Sequence, residues 1–434
     1  MSAPDDLLDG LDDIDWPALG HAYGSAGDVP DDLRAVCGPD GTARGKAFER
    51  LSGAIFHQGT RYSASPYAVP FLVRIAAAGP PSARVGALWL LTRLAVDWHD
   101  TYDLPLGIDT AAWRAAVVTP EENLRWYDEQ IAAETDEKRL HALRRGRDHV
   151  AAGHPADARE GALRSYDAVR AELPRLRVLL DDPDAAIRTR IAYLLGWFPE
   201  AAAESLPPLL ERLEDEQDPV VAATALVAVG LLADSGLADR LRPYLDAGHP
   251  LTRWAAATAL ARLAALRTGE APDARVTARV VAELAAFASR PAPEPGTDHS
   301  DGDLHGYTAR TLLALLAPAR DEDEDGILTA VAHCLRFMSI RAVNDLAPQA
   351  LRAAVAPAGP AVFSELPPGQ RDFLRTLADR LPADWYDNWL SGSAVRKALS
   401  SLGLPDTGPA LRAYTGLPPE EPEHPDADFR PGRP

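Results

Sequence analysis

Residues 182–198 read DPDAAIRTRIAYLLGWF, and this stretch decides the fold. Its apolar residues recur at offsets of 4, 7, 8 and 11 from the first, namely Ile187, Ile191, Leu194, Leu195 and Phe198. A helix with about 3.6 residues per turn places such positions on one face. The stretch therefore predicts an amphipathic helix that begins after an acidic turn.

The same spacing recurs in four other parts of the chain, starting at Ala43, Ala83, Val221 and Thr252, with Arg50 as one exception in the first of them. The intervals between the five starts are 40, 104, 34 and 31 residues. Helical repeats have periods of about 33 to 47 residues, so the long interval leaves room for further units or an insertion. A small residue follows each start by nine positions and predicts close helix contacts: Ser52, Thr92, Gly196, Gly230 and Ala261.

Prolines mark a second helix in the repeating unit. Pro70, Pro174 and Pro208 each lie thirteen residues before a start, in apolar surroundings. Because proline is tolerated in the first turn of a helix, each is predicted to begin one. The alternation of apolar and polar residues that is typical of strands is scarce, so we expect few strands or none.

Two segments resemble the HEAT-repeat family, specifically the short bacterial type related to phycobilisome-lyase-like repeats. They are DDPDAAIR at 181–188 with YLLG at 193–196, and DPVV at 218–221 with AVG at 228–230. The stretches HQGTRY at 57–62 and AVPFL at 68–72 are similar to a group of bacterial HEAT-repeat proteins. The resemblance covers about residues 40–95 and 170–285. It implies that Asp182 and Arg188 pair along the solenoid, whereas Ala222 and His249 depart from the family pattern.

We therefore expect an all-α fold, an α-solenoid of stacked antiparallel helix pairs of HEAT-like repeats, with a helical insertion and a degenerate C-terminal half. The expected segments are an N-terminal capping segment (1–36), HEAT-like repeats (37–118), an inserted long charged helix (119–165), HEAT-like repeats (166–288), an exposed acidic and Pro-rich loop (289–306), degenerate helical repeats with a C-terminal cap (307–403), and a Pro-rich tail that is extended or disordered (404–434).

Charge and composition restrict the partners. The chain has 434 residues, with 44 Lys plus Arg against 64 Asp plus Glu, and a net charge of −20. Such a field repels phosphate backbones and favours basic partners, so nucleic acid is not expected. The N-terminus lacks an apolar signal segment and no long apolar run occurs, which predicts a cytoplasmic protein that does not span a membrane. The richness in Ala and Arg indicates a bacterial genome of high GC content.

Signatures of catalysis and metal binding are missing from the sequence. No phosphate-binding loop, nucleophile elbow or zinc helix motif is present, and Cys37 and Cys334 are far apart. Carboxylates and imidazoles alternate between residues 298 and 305, but their spacing matches no established metal motif. We therefore assign no catalytic residue, no cofactor and no metal site, and whether the protein is an enzyme stays open, with a non-enzymatic role favoured.

Two regions are candidate binding surfaces. Polar and aromatic residues follow the first helix of two successive units by similar distances, so stacking would place them along one edge: His57, Gln58, Arg61, Tyr62, Trp98, His99 and Tyr102. The alternative is that they cap helix ends and fill the core. The inserted helix carries Arg144, Arg145 and Arg147, which form either a solvated face or a docking patch for an acidic partner.

Two functional classes fit these observations. The first is a non-enzymatic α-solenoid scaffold that holds a protein partner. The net charge favours a basic partner, and the scaffold itself would act as an inhibitor or toxin-neutralising protein. The second is a HEAT-like enzyme, related to lyases or DNA glycosylases, that acts on a ligand in a concave groove. A glycosylase would need a basic groove, which the acidic composition disfavours. The oligomeric state stays open.

Overall fold

The computed structural model describes residues 7–97, 99–266, 274–316, 321–355, 362–381 and 392–419. Helices account for nearly all the regular structure in these ranges, so the predicted all-α solenoid is confirmed. The chain divides into two compact units, one comprising Met1–Ala259 and Pro295–Gly302, the other Leu260–Glu294 and Asp303–Pro434. Among the described helices, none is both long enough and apolar enough to cross a membrane.

The first unit contains fourteen described α-helices and the start of a fifteenth. They are α1 (Val29–Val36), α2 (Gly41–Ile55), α3 (Ser65–Ala78), α4 (Pro81–Ala95), α5 (His99–Tyr102), α6 (Thr110–Ala116), α7 (Pro120–Ala133), α8 (Glu137–Ala151), α9 (Ala158–Ala171), α10 (Leu173–Arg177), α11 (Ala185–Leu195), α12 (Ala202–Asp215), α13 (Pro219–Leu232), α14 (Ala238–Leu241) and α15 (Pro250–Ala265). Its few strands form two antiparallel hairpins, β1 (Gly20–His21) with β2 (Gly24–Ser25), and β3 (Phe56–His57) with β4 (Thr60–Arg61).

The second unit is also helical throughout its described residues. Its helices are α16 (Ala274–Ala288), α17 (Leu304–Leu316), α18 (Asp321–Leu335), α19 (Ile340–Ala354), α20 (Pro368–Arg380), α21 (Gly392–Ser401) and α22 (Gly408–Tyr414). Apolar side chains at helical spacing form its core, among them Leu312, Leu346 and Phe373, each fully buried. Helices are thus present in the C-terminal half, where the repeat identity is lost.

The apolar positions that define the repeat are buried as predicted, except Ala43 at the start of the first unit, which is exposed. In α11, Ile187 and Ile191 are 1% and 0% exposed, and in α13 Val221 and Ala225 are both 0% exposed. Two of the small residues nine positions after a start, Gly196 and Gly230, lie where helices meet. A Cβ added to Gly196 would come within 2.9 Å of the Ala228 Cα, which shows how closely α11 and α13 approach.

The prediction that prolines begin the second helices is wrong in two of three cases. Pro174 is the second residue of α10, but Pro70 is internal to α3 and Pro208 is internal to α12. A proline lacks the N–H that would bond the carbonyl four residues earlier, and its ring crowds that carbonyl. For Pro70 that carbonyl belongs to Pro66, in the first turn of α3, so the helix loses one bond near its start and continues.

The pairing implied by the HEAT resemblance is corrected by the structure. The Arg188 guanidinium donates to the Glu216 carboxylate, with Nε–Oε2 at 2.8 Å and Nη2–Oε1 at 3.0 Å. It also donates to the backbone carbonyl of Asp182 at 2.8 Å. The Asp182 carboxylate instead binds Arg84 of α4. Arg84 and Arg188 therefore each reach forward to the acidic turn of the next unit, and each also donates to a backbone carbonyl, that of Ala76 for Arg84 and that of Asp182 for Arg188.

The contact between Arg84 and Asp182 also shows that the array is continuous across the 104-residue interval. Helix α11 packs directly on α4, so the residues between them leave the stack and return to it. The inserted long charged helix predicted within 119–165 is wrong, because α7 and α8 are two helices that pack against each other. The chain turns where the Glu134 carboxylate accepts the Thr135 and Asp136 N–H groups and the Asp136 side chain caps α8.

Two predicted irregular segments also differ from expectation. The loop at 289–306 is not exposed throughout, since Thr297, His299 and Ser300 are buried and α17 begins at Leu304. The tail at 404–434 contains α22, which Thr407 caps and in which Leu411 is fully buried. Residues 420–434 of that predicted tail lie outside the described residues. Burial of Leu404 and Leu411, the Thr407 cap and the bonds from Arg412 to the Ala378 and Pro418 carbonyls hold a segment whose proline content had predicted an unstructured tail.

Candidate functional site

Two β-hairpins with strands and loops of equal length lie 36 residues apart at the N-terminal end of the first unit. GHAYGS at 20–25 forms the first and FHQGTR at 56–61 the second, with a histidine ending the first strand of each. In the second hairpin the turn residues Gln58 and Gly59 have φ of 49° and 83°. Positive φ at both central residues is what a two-residue type I′ hairpin requires, and it suits the twist of the strands.

The two hairpins lie side by side. The Ala64 N–H donates to the Gly20 carbonyl at 3.1 Å, and the Tyr23 and His57 rings meet edge to face with centroids 5.5 Å apart. Tyr23 is 71% exposed and Gln58 is also exposed. Burial, and next the nearby Tyr23 phenol, raise the pKa of Tyr62. We name Tyr23, His57, Gln58 and Tyr62 the hairpin rim.

Arg61 joins the second hairpin to the segment after α4. Its Nη1 lies 3.1 Å from Asp97 Oδ2, and its Nε and Nη2 donate to the Leu94 and Arg93 carbonyls at 3.1 and 2.7 Å. The side chain is buried, and burial lowers its pKa to about 10, which leaves it charged at neutral pH. Arg61 was predicted as a binding residue, but the structure places it inside, where it fixes the position of the rim.

The other predicted binding residues of this edge, Trp98, His99 and Tyr102, follow Asp97, which Arg61 contacts. His99 is half-buried, with its Nδ1 2.5 Å from Asp103 Oδ2 and its ring 4.6 Å from that of Trp113. Tyr102 is 60% exposed. Trp98 lies outside the described residues. The structure therefore brings the two predicted stretches together through Arg61 and Asp97, with Tyr102 as the exposed aromatic residue of the second stretch.

The predicted basic cluster lies on α8. Arg144 and Arg145 are exposed, whereas Arg147 is half-buried and its Nε lies 2.6 Å from Asp128 Oδ1 of α7. The side chain of Asp128 thus neutralises part of the cluster. Arg144 and Arg145 remain as two exposed cations at adjacent positions, about 100° apart around the helix.

A pocket of about 640 Å³ opens beside the rim, between the two hairpins and the connection from α8 to α9. In its wall the Ser63 Oγ lies 2.7 Å from His154 Nδ1 and accepts the Gly20 N–H at 2.8 Å. The His154 ring stacks on His149 with centroids 4.4 Å apart. Burial, and then the neighbouring His149, lower the pKa of His154, so its imidazole is neutral at neutral pH.

The Ser63–His154 contact supports the pocket wall. Ser63 is 4% exposed and its oxygen already accepts a backbone N–H, which is the arrangement of a structural serine. What the pocket offers at its surface is an apolar floor with Pro17, Leu19 and Pro155, edged by imidazoles. Such a site can receive a side chain from another molecule. Sequence reasoning missed Tyr23, Ser63, His149 and His154, and the signal was weak, because GHAYGS and FHQGTR share only their histidine at equivalent positions.

A second polar cluster lies where residues 297–302 meet α5. The Asp100 carboxylate accepts the Ser300 and Asp301 N–H groups at 2.9 and 2.7 Å, and it is 4% exposed. Burial raises its pKa to about 6. The acidic and imidazole side chains at 298–305 diverge to separate partners, and in the described part of the chain no three His, Cys, Asp or Glu residues converge as metal ligands do.

Asp100 should make stability depend on pH. The pKa of Asp100 is about 6 in the folded state and about 3.9 in the unfolded state. Its contribution to the free energy of unfolding is therefore greatest below pH 4 and is lost as pH rises through 6. The full loss amounts to about 3 kcal/mol. Urea unfolding from pH 4 to pH 7 should therefore show a smaller decline for Asp100→Asn than for the wild type. Parallel curves for the two proteins would show that Asp100 does not titrate in this window.

Part of the chain is similar to a known family of proteins. The sequence profile of HEAT repeats matches residues 151–230 and again residues 206–280. No curated protein matches the sequence. Among solved structures, a crystal structure of an engineered protein is 16% identical and covers 90% of this chain and 99% of that chain, with a TM-score of 0.28. From α9 into α16, this chain is thus similar to HEAT-repeat proteins.

Proposed function

We propose that this protein is a non-enzymatic α-solenoid scaffold that holds a protein partner at the hairpin rim. HEAT repeats are in general protein-interaction scaffolds. The observation that carries the proposal is Tyr23, an aromatic residue that is 71% exposed at a hairpin tip and yet is held in place against His57. Tyrosine is enriched among the residues that contribute most to binding energy in interfaces.

The rim is organised before any partner binds. Arg61 ties the second hairpin to the end of α4, and the Gly20 carbonyl ties the first hairpin to Ala64. A surface fixed in this way loses little conformational entropy on binding, which favours affinity. The adjacent pocket of about 640 Å³ is large enough to accept a side chain that projects from the partner.

The charge of the chain narrows the partner. With a net charge of −20, long-range steering favours a basic protein. We infer that the chain acts as an inhibitor or toxin-neutralising protein of the short bacterial, phycobilisome-lyase-like type of HEAT protein. The exposed Arg144 and Arg145 on α8 would then contact an acidic part of the same partner.

A capture experiment with rim variants tests this function. Tyr23→Ala with Gln58→Ala should weaken retention of the partner from host lysate at least tenfold, because interface tyrosines contribute about 2 kcal/mol or more when they are central. Trp126→Ala is the matched control, since Trp126 is a 50% exposed aromatic residue on α7 and lies outside the rim. A photo-crosslinking residue at position 58 should label the same protein. Equal retention by the rim variant and the control would contradict the proposal.

A further inference from the structure

Residues 297–302, which we name the docked segment, bind to a surface formed by α4, α5 and α11. At the centre of the docked segment, a side chain of the surface binds backbone groups of the segment. The Asp100 carboxylate accepts the Ser300 N–H at Oδ1 and the Asp301 N–H at Oδ2, at 2.9 and 2.7 Å. Asp100 precedes these residues by 200 positions, so the surface receives the segment as it would a separate chain.

Two ion pairs lie on either side of the hydrogen bonds to Asp100. Asp298 Oδ2 lies 3.0 Å from Arg190 Nη1 of α11, and Asp301 Oδ1 lies 3.2 Å from Arg93 Nη2 of α4. The two aspartates are three residues apart and reach arginines on two neighbouring helices. The surface therefore binds two carboxylates at a fixed spacing through ion pairs. Arginine suits this role because its guanidinium is always charged and matches the geometry of a carboxylate.

The residue between the pairs is an anchor. His299 is 0% exposed, and its ring lies 4.7 Å from that of Tyr193 on α11. A central side chain buried among flanking polar contacts is the usual plan of a peptide interface. Beside it remains a cavity of about 230 Å³, partly lined by Trp89 and Thr92, which the docked segment leaves unfilled.

The backbone of the docked segment is held in a conformation that it would not adopt by itself. Ser300, Asp301 and Gly302 have φ of 59°, 50° and 81°, all in the left-handed region. Two consecutive non-glycine residues persist there only when their surroundings hold them. The surface thus imposes the conformation on the segment, as a binding site does on a ligand.

We propose that α4, α5 and α11 form a recognition site for peptide turns with two aspartates three residues apart, and that the docked segment is its resident ligand. A partner protein with an Asp-x-x-Asp segment would enter this site by displacing residues 297–302. Arg93 and Arg190 select the two carboxylates, and Asp100 holds the backbone between them. This site is separate from the hairpin rim, so either proposal can fail without the other.

The tether makes the proposal testable with a free peptide. A tethered segment stays docked only if the dissociation constant of the untethered segment is lower than the effective concentration that the tether creates. That effective concentration is of the order of millimolar for short linkers. A free peptide at several millimolar must therefore bind if the site itself supplies the affinity. The probe is the peptide of residues 295–304, PGTDHSDGDL. The receptor is the full chain with Asp298→Ala, His299→Ala and Asp301→Ala, in which the resident ligand is disabled.

Ligand-observed NMR would follow the imidazole protons of the peptide. We expect saturable binding to the triple variant and at least tenfold weaker binding to the wild type, whose own segment occupies the site. A peptide with asparagine in place of the aspartates at positions 298 and 301, and with Asp303 retained, should bind at least tenfold more weakly, and this control needs no change in the protein. Adding Arg93→Ala and Arg190→Ala to the receptor should have the same effect, with circular dichroism to verify folding. No binding to the triple variant, or equal binding to it and to the wild type, would overturn the proposal.

Discussion

Replacing Arg61 with methionine is expected to lower the free energy of unfolding by about 3–5 kcal/mol, the largest effect of any single substitution considered for the N-terminal repeats. Methionine preserves the length of the side chain but removes the charge and every donor. Asp97, whose side chain is only 10% exposed, then loses its ion-pair partner inside the protein. The carbonyls of Arg93 and Leu94 lose their donors as well. Chemical denaturation followed by circular dichroism measures the change.

Two comparisons make the Arg61 prediction specific. Arg175→Met is the matched control, because Arg175 is exposed and pairs with Glu172 on the surface, so its loss should cost less than about 1 kcal/mol. A double variant with Asp97→Asn should recover part of the stability, since no uncompensated charge is left behind. If Arg61→Met costs no more than Arg175→Met, the guanidinium does not organise the hairpin, and the basis for a preformed rim is lost.

The helices of the repeat could be predicted because their signal is periodic. Ile187, Ile191 and Leu194 recur at helical spacing over several turns, and each is buried for that reason. The break between α7 and α8 was missed although the sequence carries a sign of it. After Ile131 the apolar stripe resumes only at Leu140, which a continuous helix with about 3.6 residues per turn would place on its opposite side. The turn is made there by the Glu134 carboxylate and the Asp136 cap.

The candidate site was only partly predictable. His57, Gln58 and Tyr62 stood out by residue type, yet the hairpin that presents them has strands of two residues, too short to show alternation. The contact of Asp100 with Ser300 joins residues 200 positions apart, and no local pattern encodes it. Such contacts depend on the stacking of units, which sequence periodicity predicts in kind but not in register.

Adding one methyl group at Gly230 is expected to destabilise the first unit, although alanine is normally the better helix former. A Cβ at Gly230 would lie 2.5 Å from the Ala259 Cβ and 2.7 Å from its Cα, where α13 and α15 meet. Neither neighbour can rotate away, so the helices must separate. Overpacking of this kind costs about 1–3 kcal/mol, and Gly230→Val should cost more than Gly230→Ala. Thermal and urea unfolding measure both changes.

The sign of the effect distinguishes packing from helix propensity. Gly45 is also internal to a helix, is exposed, and has no atom within 4 Å of an added Cβ. Gly45→Ala should therefore stabilise the protein by about 0.5–1 kcal/mol, the ordinary gain from replacing a helical glycine. Opposite signs for the two alanine substitutions would show that the small residue of the repeat is required for close stacking. A gain at both positions would mean that α13 and α15 do not approach each other at Gly230, and the small-residue rule inferred from the repeat would fail.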